Sequence, residues 1–360
     1  MKSLRKRSRW LVALAVVLAM LGIGGWQCWA WWKWVISPPQ PAFFEGDADE
    51  EKMPTTINIE PGTPGQYIGA DLKEKGLIRS PVAWKMWSRW QALWDSNGGF
   101  QAGSYEIFPK EDMTAIASKI WQGDVIKVGF TIPEGWTIKQ MAAYFESQDF
   151  FTAKDFLEAT KKIPREKYPW LPANLPHLEG FLYPDTYQAI ADNITPEAIV
   201  NQMLLQFQKL ALPLYQEVKD ETDMTILEWV TLASIVEEES VVDSERGLIA
   251  GVFTRRLQED ITLGADPTVE YGLGITQTPE NPLTWDQVST PNPYNTYINL
   301  GLPPTPISAP GVKSLAATLS PEITEYLYFV ARYDGTHIFS STLAEHEAAV
   351  ERVRNEIDNR

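Results

Sequence analysis

Cysteine is almost missing. Cys28 is the single one in 360 residues, so the chain can form no internal disulfide. The lack of cysteine beyond it fits an oxidising compartment. Histidine is scarce too: His177, His337 and His346 are the full set. His346-Glu347 lacks the second histidine of a helical zinc-protease motif, and no cysteine cluster can build a zinc site. Asp266 and Glu270 could hold a metal, but lone acids more often anchor loops. There is no Gly-x-Ser-x-Gly elbow, phosphate loop or dinucleotide fingerprint. Nor is there an internal repeat or a low-complexity tract. Positive charge is short beyond the first nine residues, which hold Lys2, Arg5, Lys6, Arg7 and Arg9 and no acid. The remainder carries 26 bases against 47 acids, a net of −21. So acidic a body repels phosphate backbones and argues against nucleic acid as a partner. A neutral or cationic substrate stays open.

What is present reads as globular. The chain is 44% hydrophobic and 22% charged, with Trp 15, Tyr 13 and Phe 14. Its length can bury a sizeable core and suggests two domains. Residues 10–32, WLVALAVVLAMLGIGGWQCWAWW, have Gln27 as their one polar member and no charge. About 20 such residues suffice to span a bilayer as a helix. Trp26, Trp29, Trp31, Trp32 and Trp34 crowd the far end, where an aromatic belt would sit. The basic residues before the run would stay cytoplasmic, leaving the body outside. A cleaved signal peptide is the alternative, and the Trp-rich exit suits it poorly.

Residues 37–55 hold Pro38, Pro39, Pro41 and the acidic stretch Glu45 to Glu51, the composition of a tether. Ordered structure is expected from the short alternating strand Thr56–Ile59. Helices are expected after Pro64, from Pro81 and over Met113–Trp121, with strands at Ser104–Phe108 and Asp124–Thr131. These suit a compact α/β module over 56–131. Its tryptophans serve either core packing or stacking on carbohydrate. From 132 to 360 helical patterns alternate with Pro-bounded loops: 137–147, 152–161, 196–210, 224–240, 244–257 and a last helix from Leu343. Tyr326–Ala331 reads as a buried strand.

The helix over 224–240 carries the most chemistry. It ends on Glu237, Glu238 and Glu239 after a mostly apolar run. At 100° per residue the three carboxylates cannot share one environment. Glu239 follows Val236, Ile235 and Leu232 by three, four and seven residues, and so extends an apolar stripe. Glu238 falls with Leu227, Thr231 and Ser234 on the most polar side; Glu237 falls with Val230 and Ala233. A carboxyl on an apolar stripe is desolvated and stays protonated near neutral pH, as a general acid must. The helix C-terminus disfavours negative charge further. The bland alternative is that Glu239 marks a frayed, exposed helix end. Residues 263–306 read as loop, rich in Tyr, Asn and Asp: Asp266–Gly272, Pro291–Tyr297 and Gly301–Pro304. They suit either a sugar cleft or a Pro-stiffened loop held by Asx turns.

The run Leu232–Ser240, with Ser244-Glu245-Arg246 after it, resembles the signature of the MltG (YceG-like) family of endolytic murein transglycosylases. Further blocks occur in the family's order: Glu179–Tyr187, Asp266–Gly272, Tyr294–Tyr297, Gly301–Pro304, Tyr326–Val330, then Gly335, His337 and Phe339. The resemblance covers roughly 56–355. It implies an α+β fold: a transmembrane helix (1–9 cytoplasmic, 10–36 anchor), a LysM-like module at 56–131, and a catalytic domain at 132–360 with a long substrate cleft. It implies Glu239 as the essential acid, and Glu179, Asp185, Asp266, Thr268, Tyr294, Asn295 and Tyr297 as cleft residues. No cofactor and no metal are implied. The implied partners are peptidoglycan strands, the membrane and the wall-synthesis machinery. The chain departs from the family at Gly264, where Gln is common, at Glu270, where an apolar residue is common, and at Thr305, where Gly is usual.

The implied reaction uses no water. Glu239 would protonate the oxygen between N-acetylmuramic acid and N-acetylglucosamine. As a carboxylate it would then take the proton from the muramyl C6 hydroxyl, which closes on C1 as a 1,6-anhydro ring. One carboxyl serves twice, so the second carboxylate of ordinary glycosidases is not required. Two rivals stay open. A lysozyme-like hydrolase would need Asp266 or Glu237 as that second group. A non-catalytic scaffold would bind wall glycan with an inert cleft.

Overall fold

The computed structural model describes residues 2–39, 53–96, 98–278, 281–332 and 334–358, without side chains at 2–13, 15, 357 and 358. The expected tether over 37–55 lies mostly outside the described residues. The fold is mixed α+β, and the chain divides into two compact units: Met1–Val128 with Ile190–Asp192, and Gly129–Ala189 with Asn193–Arg360.

The first unit opens with helix α1 (Lys2–Ile36). Strand β1 (Thr55–Ile59), helices α2 (Gly65–Glu74) and α3 (Pro81–Trp94), strand β2 (Gly103–Ile107) and helix α4 (Met113–Gln122) follow. β1 and β2 pair antiparallel, with Thr55 opposite Ile107 and Ile59 opposite Gly103. Ser80 caps α3, accepting from the Ala83 N–H, and Pro81 fills the first turn, where its missing N–H costs nothing. α4 runs from an Asp112 cap to Gly123, whose φ of 70° suits glycine. The core gathers Ile57, Leu72, Ile78, Trp84, Tyr105, Ile107 and Ile120, and Val35 of α1 joins it. Trp84, Trp87 and Trp121 are core residues, whereas Trp90 and Trp94 are exposed. Trp84 Nε1 donates to the Gly65 carbonyl at 2.8 Å. Among the described residues no helix is long and apolar enough to cross a membrane. The apolar run 10–32 lies partly outside the described side chains, which begin at Leu14.

Strand β3 (Lys127–Thr131) pairs with β4 (Thr186–Ile190) in a second two-stranded sheet. Helices α5 (Ile138–Ser147) and α6 (Ala153–Lys161) lie between these strands in sequence. After β4 come α7 (Pro196–Leu210), α8 (Leu212–Val218), α9 (Ile226–Glu239), α10 (Arg246–Gln258), α11 (Asp266–Leu273), α12 (Trp285–Val288) and α13 (Val312–Leu319). The hairpin of β5 (Tyr328–Ala331) and β6 (His337–Ser340) then precedes α14 (Leu343–Asp358). α9 is the central strut: every residue from Trp229 to Val236 is buried, and α10, α11 and α13 all pack on it. Trp229 Nε1 donates to the Leu315 carbonyl of α13 at 2.8 Å. Each large aliphatic side chain so buried stabilises by roughly 2 kcal/mol, so Leu232, Ile235 and Val236 hold the helix end in place.

Two expectations need correction. The segment from Leu263 to Pro306 is not all loop, since α11 and α12 lie within it. Pro267 in the first turn of α11 and Gly274 in its left-handed C-cap are ordinary helix punctuation. Tyr326–Ala331 is not a buried strand. β5 starts at Tyr328 and is half-buried, ending on an exposed Ala331, because its two-stranded sheet has α14 to cover it and no second sheet.

Candidate active site

The site is built where α9 ends. Its start is fixed by a capping box, in which Thr225 accepts from the Glu228 N–H and Glu228 accepts from the Thr225 N–H. Its last turn delivers three carboxylates into three environments. Glu237 is spoken for: its Oε2 accepts from the Gly311 N–H at 2.9 Å and its Oε1 lies 3.5 Å from Arg246 Nη2. Both side chains of that ion pair are 8% exposed, and Arg246 also donates to Asp243 at 2.7 Å. Glu238 is open to solvent on one side. It lines a cavity of about 290 Å³ together with Thr137, Lys139, Pro267, Glu270 and Tyr271. Desolvation in that wall pushes its carboxyl up to about 7; Glu237 and Glu270 add to the rise, and a Ser308 hydrogen bond opposes it.

Glu239 is half-buried. Burial pushes its carboxyl up to about 8, the charges of Asp266, Glu238 and Glu270 raise it further, and Arg256 opposes them. Among the described residues none hydrogen-bonds its carboxyl. A protonated, half-buried and untied carboxyl can give a proton to a neighbouring oxygen.

Asp266 stands in the first turn of α11, where the helix dipole favours its charge. Tyr297 donates to its Oδ1 at 2.5 Å and Gln277 to its Oδ2 at 3.3 Å. Burial and Asp266 together push the Tyr297 phenol up, so it remains a donor. Arg256 is fixed by the carbonyls of Thr262, Leu263 and Leu327 and sits over the Tyr328 ring at 4.9 Å. Glu239, Asp266, Tyr297, Arg256 and Glu270 therefore form one electrostatic group.

The other sequence-derived candidates are placed differently. Glu179 is 3% exposed and pushed up to about 8 by burial. It accepts from the Ile138 N–H at 2.8 Å, at the start of α5, and from the Tyr271 hydroxyl at 3.0 Å. Asp185 accepts from Gln206 and from the Thr186 N–H beside β4, outside the group around Glu239. Thr268 is fully buried; its hydroxyl meets Thr296 and the Ala265 carbonyl. Asn295 is buried too, donating to the Val288 and Thr290 carbonyls and accepting from the Tyr297 N–H. Tyr294 shares a hydrogen bond with Thr305 at 2.9 Å and packs its ring 4.9 Å from Tyr271. Thr268, Asn295 and Tyr294 thus build the loops that carry Asp266 and Tyr297.

Sequence reasoning set Glu238 on the polar side of α9 and passed over Tyr271, Arg256 and Lys139. The polar side is itself buried: Ser234 Oγ accepts from the Ile307 N–H at 3.0 Å, and Thr231 is 1% exposed. Glu270 was legible as the charged residue where an apolar one is common, and it lines the cavity beside Glu238.

This order of blocks has counterparts. Residues 57–352 match the YceG-like family. The chain belongs to that family. It is 30% identical over 316 residues to the endolytic murein transglycosylase of Bacillus subtilis, covering 84% of this chain and 86% of that one. It is 27% identical to the endolytic murein transglycosylase of Streptococcus pneumoniae, covering 94% of this chain but 64% of the relative, whose length it therefore spans only in part. A crystal structure of a YceG-like protein from Listeria monocytogenes is 31% identical, with a TM-score of 0.56, over 82% of this chain and 99% of that one.

Proposed function

We propose that this YceG-like protein is an endolytic lytic transglycosylase of peptidoglycan, with Glu239 as its acid and then its base. The observation that carries the reading is the half-buried, protonated Glu239 at the end of a buried helix, in a chain whose relatives are named for that activity. Glu239 protonates the glycosidic oxygen between N-acetylmuramic acid and N-acetylglucosamine. Its carboxylate then accepts the C6 hydroxyl proton as the 1,6-anhydro ring closes. The charge of Asp266, held by Tyr297, favours the positive charge that develops at C1. Asp185, Glu179, Thr268, Tyr294 and Asn295 belong to the cleft chiefly through the loops and helix ends they fix. Cleavage within nascent strands would help to end their elongation.

The same reading makes the apolar run 10–32 a single-pass anchor in the inner membrane, with 1–9 cytoplasmic and the catalytic domain on the outer side; the expected end at 36 runs too far, since Val35 is buried in the core of the first unit. α1 is 35 residues long, about 50 Å at 1.5 Å per residue, against a hydrocarbon core of about 30 Å. Residues 56–131 form the LysM-like module and 132–360 the catalytic domain, working beside cell-wall synthases.

One observation favours a second assignment within the same reaction. Glu238, not Glu239, lines the cavity, and it is poised at about 7. Glu239→Gln and Glu238→Gln on isolated glycan strands separate the two. We expect Glu239→Gln to lower turnover by a factor of roughly 10²–10⁴, the usual worth of an acid/base group, and Glu238→Gln to lower it by less than tenfold. The reverse order would transfer the role to Glu238.

A further inference from the structure

The outer face of α3 belongs to the first compact unit, whereas the candidate site is built from residues of the second. Val82, Met86, Trp90, Leu93 and Trp94 are between 51% and 82% exposed. At 100° per residue the first four fall within about 80° of one another, and Trp94 about 40° further round. The inner face, Ala83, Trp84 and Trp87, is in the core. On the same count Ala83, Trp84 and Trp87 fall at about 100–200° from Val82, so the apolar arc of α3 runs on past its buried face and leaves an exposed apolar stripe beside it. Lys85 and Arg89, both exposed, border the outer stripe on one side.

α1 meets the same surface. Trp32 lines, with Met86, Trp87, Trp90 and Thr114, an apolar cavity of about 480 Å³. The end of α1 is fixed to the unit: Val35 is buried in its core, and Arg79 donates to the Ser37 and Pro38 carbonyls and stacks on Trp34 at 5.1 Å. Trp26, Trp29, Trp31 and Trp34 remain exposed on α1 itself.

We propose that the outer face of α3 lies in the headgroup region of a phospholipid bilayer, as a second membrane contact beside α1. The inference rests on the anchor reading of α1. Trp90 and Trp94 are the side chains that settle at a membrane–water boundary, and Leu93, Val82 and Met86 suit the acyl chains beneath it. Lys85 and Arg89 complement anionic headgroups, although the body as a whole is acidic. A sugar strand would use the tryptophans but gain nothing from the aliphatic stripe between them. The surface is also continuous with the Trp-rich end of α1, through Trp32.

The test uses the full chain carrying Cys28→Ser and Leu93→Cys, with an environment-sensitive fluorophore on the new thiol. It is reconstituted in phosphatidylcholine–phosphatidylglycerol vesicles containing a lipid spin-labelled near the headgroup. Leu93 is 82% exposed, so labelling leaves the core intact. We expect a blue-shifted emission, about a twofold or greater loss to the spin label, and no dependence on the protein-to-lipid ratio. A chain that floats with the vesicles but keeps a water-like emission at 93, quenched only by aqueous iodide, overturns this inference and leaves the anchor standing. Protection that appears only at high protein-to-lipid ratio assigns the face to a second copy, and protection only on adding glycan strands assigns it to sugar; either overturns it. A chain that does not float at all defeats the anchor and this inference together.

Discussion

Glu179 and Glu239 are raised to about 8 by the same cause, burial, yet they are held for different ends. Glu179 is tied by two donors, Ile138 and Tyr271, and joins α5 to α11. Among the described residues Glu239 is tied by none. The difference has a pH signature. A carboxyl whose folded pKa lies above its unfolded value of 4.5 stabilises the fold below pH 4.5, and that contribution is lost as pH rises through about 8. Gln at 179 mimics the protonated acid and does not ionise. Glu179→Gln should therefore unfold like the wild type near pH 5 and be the more stable of the two at pH 8.5, in denaturant titrations at both pH values. A wild type that loses no stability relative to the variant over that interval would show Glu179 to be ionised at no cost. At this scale helical spacing separates three adjacent acids and makes Glu239 the candidate. It missed Arg256 and Tyr271 because their importance comes from chain segments far apart in sequence.

At the scale of the element, α9 does the positioning. Glu237 does not share the chemistry; through Arg246 and the Gly311 N–H it fastens the last turn of α9 to the start of α10 and to the N-terminal end of α13. Arg246→Met would leave Glu237 nearly buried without its cation. Breaking a buried pair in this way costs about 3–5 kcal/mol, so Arg246→Met should lower the melting temperature. It should also lower kcat at temperatures where the fold survives, since Glu239 is two residues from the freed anchor. Arg246→Lys should restore part of both; an Arg246→Met protein of unchanged kcat and stability would contradict the positioning role. The helix itself was plain in the sequence, from the mostly apolar run that ends on Glu237, Glu238 and Glu239. α11 carries its own punctuation, Pro267 near its start and Gly274 at its end, but its eight residues show too little periodicity to mark a helix by pattern. The polar look of Thr231 and Ser234 misled for a physical reason: both hydroxyls are buried, and Ser234 meets the loop at Ile307 and Ser308.

At the scale of the whole molecule, composition and charge narrow the range of partners. A body of net −21 repels phosphate backbones, and the basic, Trp-rich, apolar leader is the segment for which a membrane anchor is proposed. The two-unit organisation was legible from the change between a compact run of short strands and helices and the longer helical stretch after it. Which tryptophans remain outside was not legible: Trp84, Trp87, Trp90 and Trp94 recur at steps of three and four along one helix, and packing buries the first two and exposes the last two. On the proposed mechanism this acidic, two-unit protein cuts glycan strands internally without water. Mass spectrometry of peptidoglycan strands digested by the full chain tests it most directly. The expected products are internal fragments whose muramyl ends lack one water, as 1,6-anhydro sugars; fragments with ordinary reducing ends, or strands bound but uncut, would overturn the mechanism.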